Sequence, residues 1–226
     1  MQAFLKRPIA HRGLHNNINI IENTIESFEH AIANNFSIEL DIILSKDSEV
    51  MVFHDLDLQR LAGIKKLVKD CTANELRKIK LLNTDCVISS IDEVFYKING
   101  KVPILIEIKQ SFHPLIEERL FEIVRSYNGE VAIQSFDKNS IRWFKNNAPF
   151  FKLGLISNDI NLTVDEVNEL GVDFLALDIS ILELDVVKDL KNYGYHILTW
   201  TVDTFEKYEK SLKLADNCIF EKIKIK

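Results

Sequence analysis

The sequence feature that most constrains the fold is a regular alternation of short apolar runs with amphipathic segments, which continues along nearly the whole chain. Repeated strand–helix units of this kind predict a parallel sheet with helices packed outside it. Eight strands joined by helical crossovers predict an α/β fold of the (β/α)8 TIM-barrel type, and 226 residues lie within its usual length. The predicted strands are at 8–13, 36–43, 102–108, 130–134, 151–156, 173–178, 195–202 and 217–220.

The alternative to a barrel is an open, doubly wound sheet. Such a sheet usually carries a glycine-rich turn after its first strand, where a dinucleotide binds. No such turn follows the first predicted strand, which ends in His11-Arg12-Gly13, so the sequence favours the barrel. We therefore expect a single TIM-barrel domain over residues 1–226, in which the eighth outer helix is absent or very short.

One stretch interrupts the strand–helix pattern and carries the most reactive side chains. Glu39 and Asp41 are two positions apart on the second predicted strand, so they point to the same side of it. Only a short connection, with the polar tip Lys46-Asp47-Ser48-Glu49, separates this strand from the next apolar run, at 50–53, and a parallel crossover needs about a dozen residues or more. The connection is therefore predicted to be a β-hairpin, which carries His54 back towards the two carboxylates.

The carboxyl ends of the strands form the active-site face of such a barrel. Three carboxylates, two histidines, an arginine and a lysine are predicted to meet there. Carboxylate oxygens bind hard divalent cations, and imidazoles transfer protons near neutral pH, so the set predicts a metal site beside a proton-transfer group. Its members are Glu39, Asp41, Glu107, His11, His54, Arg12 and Lys109, with Trp200 near the end of the strand at 195–202.

Each of these residues also has an ordinary structural interpretation. Glu39 and Asp41 can form a solvated strand end or a structural salt bridge with Lys109. Either histidine can cap a core, and Trp200 can fill the top of the barrel as readily as it can line a substrate pocket. The functional interpretation is favoured because the acids and both histidines stand together at strand or hairpin ends.

Eight short motifs occur in order over nearly the whole chain, and the ordered set is far more specific than any one of them. They are Ala10-His11-Arg12-Gly13, Glu22-Asn23-Thr24, Glu39-Leu40-Asp41, Val52-Phe53-His54-Asp55, Leu58 with Arg60, Glu107-Ile108-Lys109, Gln134-Ser135-Phe136 and Trp200-Thr201-Val202. In this set the sequence resembles the glycerophosphodiester phosphodiesterases, a family of the phospholipase-C-like phosphodiesterase superfamily.

The resemblance implies a barrel with a small insertion, at 56–90, after the hairpin. It also implies hydrolysis of a small-molecule glycerophosphodiester to sn-glycerol 3-phosphate and an alcohol, with one divalent metal ion, Mg²⁺ or Ca²⁺, as cofactor. The matching site residues are Glu39, Asp41 and Glu107 for the metal, His11 and His54 for acid–base catalysis, and Arg12 and Lys109 for the phosphate.

Two other functions stay open. One is a related phosphodiesterase that acts on a lysolipid, a sphingolipid or a glycerol-phosphate glycan. The other is a non-catalytic barrel that binds a phosphorylated ligand, which the intact metal and histidine set disfavours. The chain also departs from the family pattern, with Ile21 in place of a proline and with Phe220-Glu221-Lys222-Ile223 in place of Thr-Asp-x-Pro, so the closing loop is not predicted by the family.

Net charge, cysteine spacing and the lengths of apolar runs limit which binding partners and which cellular compartment we expect. A net charge of −6 disfavours nucleic-acid binding through phosphate neutralisation. The three cysteines have no metal-site spacing, the N-terminus lacks an apolar signal region, and no apolar run approaches the ~18 residues of a membrane span. We therefore expect a cytoplasmic protein without a transmembrane segment, for which a homo-oligomer is compatible with the sequence but not specified by it.

Overall fold

A computed structural model of the chain describes residues 1–109 and 115–225, and its central feature is a closed barrel. Each parallel strand hydrogen-bonds to the next, and the first strand closes the ring by pairing with both the second and the last. Ile9 is in register with Ser37 on one side and with Ile219 on the other. The predicted (β/α)8 barrel is therefore confirmed.

The barrel strands are buried on both faces, as expected for parallel strands that are covered by helices. They are β1 (Ile9–Ala10), β2 (Ser37–Leu44), β4 (Ile104–Ile108), β5 (Val131–Ser135), β6 (Lys152–Ser157), β7 (Phe174–Asp178), β8 (His196–Val202) and β9 (Asn217–Phe220).

The predicted hairpin is also confirmed. The short strand β3 (Val50–Val52) runs antiparallel to β2, with Ile42 opposite Val52 and Leu44 opposite Val50. A further backbone hydrogen bond, from Phe53 N–H to the Asp41 carbonyl at 3.0 Å, continues the pairing beyond β3. The chain therefore leaves the hairpin beside Asp41.

Helices cover the outside of the barrel, and several begin at a hydroxyl that caps the first turn. Thr24, Thr72 and Ser90 each accept a hydrogen bond from the backbone three residues on, as their sequences predict. The helices are α1 (Gln2–Lys6), α2 (Ile25–Ala33), α3 (Gln59–Ala62), α4 (Ala73–Leu76), α5 (Ile91–Ile98), α6 (Leu115–Val124), α7 (Lys138–Asn147), α8 (Val164–Leu170), α9 (Asp185–Asn192) and α10 (Phe205–Leu214).

The first helix is a feature that the sequence did not reveal, because α1 is too short to show a helical period. Its Phe4 is buried among the side chains that fill the barrel, including Ile9, Leu105 and Ile219. Asn217 at the start of β9 donates to the Arg7 carbonyl at 2.7 Å and so ties α1 to the last strand. This end of the barrel is therefore closed by the chain itself.

The insertion at 56–90 packs against the hairpin through an apolar cluster that is separate from the two clusters of the barrel. Within the described part of the chain, no helix follows β9 and no helix is long and apolar enough to cross a membrane. The members of the insertion cluster are Ile21, Met51, Phe53, Leu58, Leu61, Val68, Cys71, Ala73, Leu76, Leu81, Cys86 and Ile88.

Candidate active site

A cleft opens at the carboxyl ends of the strands, and seven of the eight residues singled out from the sequence line it. The eighth, Asp41, is fully buried but joined to the cleft by ion pairs with Arg12 and Lys109. The lining residues are His11, Arg12, Glu39, His54, Glu107, Lys109, Gln134, Phe136, Ile156, Trp200, Thr201 and Ile219.

Three carboxylates form the centre of the site because neighbouring strands bring them into register. Asp41 of β2 lies opposite Glu107 of β4, and Glu39 is two positions before Asp41 on the same side of the strand. One oxygen from each residue lies within 4.8 Å of the other two. All three side chains are buried, so their charges repel one another with little screening by water.

The donor set fits a divalent cation. Glu39 Oε2 accepts a hydrogen bond from the Arg12 backbone N–H at 2.8 Å, whereas Glu39 Oε1 is buried without a hydrogen-bond partner among the described residues. A buried carboxylate oxygen without a partner is costly, and a hard cation with oxygen ligands would satisfy it. Glu39, Asp41 and Glu107 are therefore the residues that could hold a metal.

Burial and neighbouring charges shift the pKa values of the three carboxyls in different directions. Burial and the charges of Asp41 and Glu107 raise the pKa of Glu39 well above its ordinary value. Burial and the Asp41 charge raise the pKa of Glu107 to about 7. Burial also works against ionisation of Asp41, but the charges of Lys109 and Arg12 outweigh it and lower the pKa of that group.

The salt bridge that the structural interpretation anticipated is present. Lys109 Nζ lies 2.8 Å from Asp41 Oδ1 and also contacts Glu107, and Arg12 Nε lies 3.2 Å from Asp41 Oδ2. In the described part of the chain, however, no lysine or arginine side chain pairs with Glu39. The salt bridge therefore accounts for Asp41 but does not include Glu39, whose pKa stays raised despite the hydrogen bond from Arg12.

Asn23 holds Asp41 by a pair of reciprocal hydrogen bonds that the sequence did not predict. Asn23 Nδ2 donates to Asp41 Oδ2 at 2.8 Å, and the Asp41 backbone N–H donates to Asn23 Oδ1 at 3.2 Å. The cap of α2 is Thr24, not Asn23. The Asn23 amide is thereby free to orient an acidic residue of the site.

The turn after β1 requires glycine. Gly13 has a φ of 78°, and a Cβ at this position would lie 2.3 Å from Ser27 Oγ. Its N–H donates to the Ala10 and Glu39 carbonyls, each at 3.2 Å. This tight turn places the Arg12 backbone N–H on the Glu39 carboxylate and leaves His11 at the cleft.

His11 is held by a residue that the sequence did not identify. Its Nδ1 lies 2.8 Å from Oε2 of Glu221, the first residue after β9. Burial lowers the pKa of His11, although the bond to Glu221 opposes this. Burial disfavours the Glu221 anion, but the hydrogen bond from His11 and the nearby His15 and Lys222 lower the pKa of this carboxyl.

His54 has its own carboxylate, which belongs to the next residue in the chain. His54 Nδ1 lies 2.7 Å from Asp55 Oδ1, and Arg60 Nε donates to Asp55 Oδ2 at 2.7 Å. Arg60 also donates to Glu22 at 2.7 Å, and Arg12 donates to the same Glu22 oxygen at 2.6 Å. The insertion is thus linked to both sides of the cleft through Glu22, for which the sequence analysis proposed no role beyond its motif.

Trp200 lies at the top of the barrel and lines the cleft. Its Nε1 donates to the Ala176 carbonyl at 2.9 Å, which fixes the indole at the top of the barrel. Its ring packs edge-on against Phe136, with centroids 5.6 Å apart, and Phe136 is 48% exposed. The two rings form an aromatic wall on the side of the cleft that faces solvent.

Comparison with known proteins identifies relatives over nearly the whole chain. The model of the Glycerophosphoryl diester phosphodiesterase family matches residues 11–221. A glycerophosphodiester phosphodiesterase from Caldanaerobacter subterraneus subsp. tengcongensis is 32% identical over 223 residues, which cover 91% of this chain and 89% of that protein.

Solved structures share the fold. A glycerophosphodiester phosphodiesterase from Thermotoga maritima has a TM-score of 0.80 at 28% identity, over 94% of this chain and 92% of that one. An Oleispira antarctica phosphodiesterase in complex with the product sn-glycerol-3-phosphate has a TM-score of 0.87 at 21% identity, over 97% of this chain and 94% of that one.

Proposed function

The chain belongs to the glycerophosphoryl diester phosphodiesterase family and is a phosphodiesterase, and on that premise we propose that it hydrolyses glycerophosphodiesters to sn-glycerol 3-phosphate and an alcohol such as choline or ethanolamine. The observation that carries this proposal is one cleft in which a buried cluster of three carboxylates lies beside two imidazoles. The Oleispira relative, which was solved with sn-glycerol-3-phosphate, supports the choice of product.

Glu39, Asp41 and Glu107 would hold one divalent cation, Mg²⁺ or Ca²⁺, which would stabilise negative charge on the phosphoryl oxygens. The Glu39 oxygen without a partner among the described residues and the raised pKa of Glu107, about 7, both favour the binding of a cation at this place.

Arg12 and Lys109 are assigned to the phosphate because they line the same cleft and remain cationic. Both side chains contact Asp41, which holds their positive charge at the carboxylate cluster. Among the described residues, Arg12 Nη2 has no hydrogen-bond partner, so this N–H group is available to a phosphate oxygen. Guanidinium and ammonium donors form strong, charge-assisted hydrogen bonds with phosphate.

The two histidines are assigned the proton transfers. A carboxylate can only accept a hydrogen bond, so Nδ1 of each ring carries the hydrogen that points to Glu221 or Asp55. Nε2 of each neutral ring is then the basic nitrogen, and no described residue hydrogen-bonds to it. We assign His11 as the base, because burial favours its neutral form. We assign His54 as the acid: in its protonated form Nε2 also carries a hydrogen, which it donates to the leaving alcohol.

The nucleophile is either water or the neighbouring hydroxyl of the substrate, which would give a cyclic phosphate first. His11 can deprotonate either one through Nε2. Detection of a transient cyclic glycerophosphate by ³¹P NMR would select the hydroxyl route, and its absence during turnover would select water.

The test is a panel of substrates incubated with the purified protein. Glycerophosphocholine, glycerophosphoethanolamine, lysophosphatidylcholine and a glycerol-phosphate polymer are supplied separately with Mg²⁺ or Ca²⁺. Released glycerol 3-phosphate is measured enzymatically, and for lysophosphatidylcholine, whose phosphate product keeps its acyl chain, released choline is measured instead. We expect release from the two small diesters. Turnover of lysophosphatidylcholine alone would instead support the lysolipid alternative, and glycerol 3-phosphate binding without any turnover would support a non-catalytic barrel.

Removal of metal should abolish activity and lower the melting temperature, because three buried carboxylates repel one another without a cation. Activity and thermal melting are measured in excess EDTA and after Mg²⁺ or Ca²⁺ is restored. The Glu107→Gln variant serves as the matched control and should show a smaller melting-temperature response to the cation. Full activity of a sample shown to be metal-free would contradict the metal assignment.

A further inference from the structure

The segment after β9, which begins at Glu221, reaches His11. The His11 backbone N–H donates to the Phe220 carbonyl at 2.9 Å, and the Glu221 backbone N–H donates to the Val202 carbonyl at 3.0 Å. These bonds extend the ladders of β1 and β8 with β9 beyond the strand ends. His11 and Glu221 are therefore held side by side by backbone as well as by their side chains.

The ion pair between Glu221 and His11 is mostly buried, unlike an ordinary pair on the protein surface. The Glu221 side chain is 13% exposed, and the His11 side chain is 16% exposed. His15 Nε2, on a side chain that is 3% exposed, lies 3.7 Å from the same Glu221 oxygen, and Lys222 pairs with the other oxygen. Basic groups thus surround the carboxylate, which keeps it anionic and able to accept a hydrogen bond.

We propose that Glu221 is the positioning residue for His11. By accepting the hydrogen bond from Nδ1, it selects the tautomer in which Nε2 carries the lone pair, and it fixes the plane of the ring at the cleft. Without it, the ring can rotate and the hydrogen can move to Nε2, where it blocks proton abstraction. This role rests on the proposed function, in which His11 is the base.

A set of single variants tests the proposal. Glu221→Ala should lower kcat by roughly 10- to 100-fold, the usual range when a partner that orients a functional imidazole is removed, with little change in KM. Glu221→Gln keeps an oxygen that can accept from Nδ1 and should recover part of the loss. Lys224→Gln is the matched control because Lys224 is an exposed lysine of the same segment, and it should keep nearly full activity.

A double-mutant cycle shows whether Glu221 acts through His11. Glu221→Ala should cause no further loss of kcat in a His11→Ala background, since the ring that it orients is gone. An equal loss in both backgrounds would overturn the proposal. So would wild-type kcat in Glu221→Ala, provided that His11→Ala is itself impaired.

A spectroscopic measurement separates this proposal from the catalytic assignment of His11. In protein labelled with ¹⁵N-histidine, the His11 ring should be in the Nδ1–H tautomer in the wild type and should lose that preference in Glu221→Ala. If His11→Ala turned over normally, the base assignment would fail while the tautomer change could still be seen. An unchanged His11 tautomer in Glu221→Ala would refute the positioning role whatever the kinetics show.

Discussion

Each of the two imidazoles of the cleft has its Nδ1 next to a carboxylate, but the two carboxylates come from very different positions in the chain. Nδ1 of His54 lies 2.7 Å from the carboxylate of its immediate neighbour Asp55, whereas Nδ1 of His11 lies 2.8 Å from a carboxylate 210 positions away. The His54 side chain is 33% exposed at the end of a hairpin, and the His11 side chain is 16% exposed at the end of a barrel strand.

The comparison shows that the same pairing of an imidazole with a carboxylate can form between neighbours in the sequence or between distant residues that closure of the barrel brings together. On the hairpin side, Arg60 donates a hydrogen bond to Asp55. Because Arg60 belongs to the insertion, this arrangement depends on the apolar cluster of the insertion, which is separate from the clusters of the barrel. On the barrel side, Glu221 is braced by the ladder between β8 and β9. The two sides meet at Glu22, which binds both Arg12 and Arg60.

The largest effect is expected from removing either ring. His11→Ala and His54→Ala should each lower kcat by roughly 10²–10⁴-fold, the range for a general acid or base, without a large change in thermal stability. Both are compared on glycerophosphocholine and on a diester with a p-nitrophenolate leaving group. That leaving group needs little protonation, so the variant that lacks the acid, which we assign as His54→Ala, should be rescued on it.

The substrate comparison has clear contrary outcomes. Equal defects of both variants on both substrates would remove the support for a division of labour. Near-wild-type kcat in either variant would refute the histidine pair.

A smaller effect, on stability, is expected at Glu22, where the two sides meet. Burial opposes ionisation of Glu22, but its bonds with Arg60 and the charge of Arg12 lower its pKa from 4.5 to about 2. A lowered folded-state pKa contributes stability above pH 4.5 that is lost as the pH falls towards 2. The contribution is at most about 3 kcal/mol.

Urea unfolding of the wild type and Glu22→Gln between pH 5 and about pH 2.5 measures this contribution. The variant should be the less stable of the two at pH 5, and the difference should shrink as the pH falls. Curves that stay parallel over this range would show that Glu22 is not held as a buried anion by the two arginines.

The smallest effect is expected at Asp55. Asp55→Ala should lower kcat by about 10-fold, at the low end of the range for such partners, because water can replace a carboxylate beside the more exposed ring. Asp57→Ala is the matched control, since Asp57 is an exposed acid of the same loop whose side chain accepts from the Gln59 backbone N–H at 2.8 Å. A loss as large as that of His54→Ala would show that the hairpin side depends on its carboxylate no less than the barrel side.

Much of the fold was readable from the sequence because its signals lie within short windows. Alternating apolar runs predicted the strands of the barrel, and a loop too short for a crossover predicted the hairpin that carries His54 to the cleft. Hydroxyls at helix starts, such as Thr24 and Ser90, identified caps because a capping bond spans only three residues.

The sequence by itself determined the barrel, the acidic cluster and the hairpin, because these follow from local periodicity and from strand parity. Only the tertiary structure decided which carboxylate holds His11, because Glu221 reaches that ring through closure of β9 onto β1. The tertiary structure alone also decided the reciprocal hydrogen bonds between Asn23 and Asp41. Neither pairing has a signature in sequence spacing, since each depends on where the barrel brings its strand ends together.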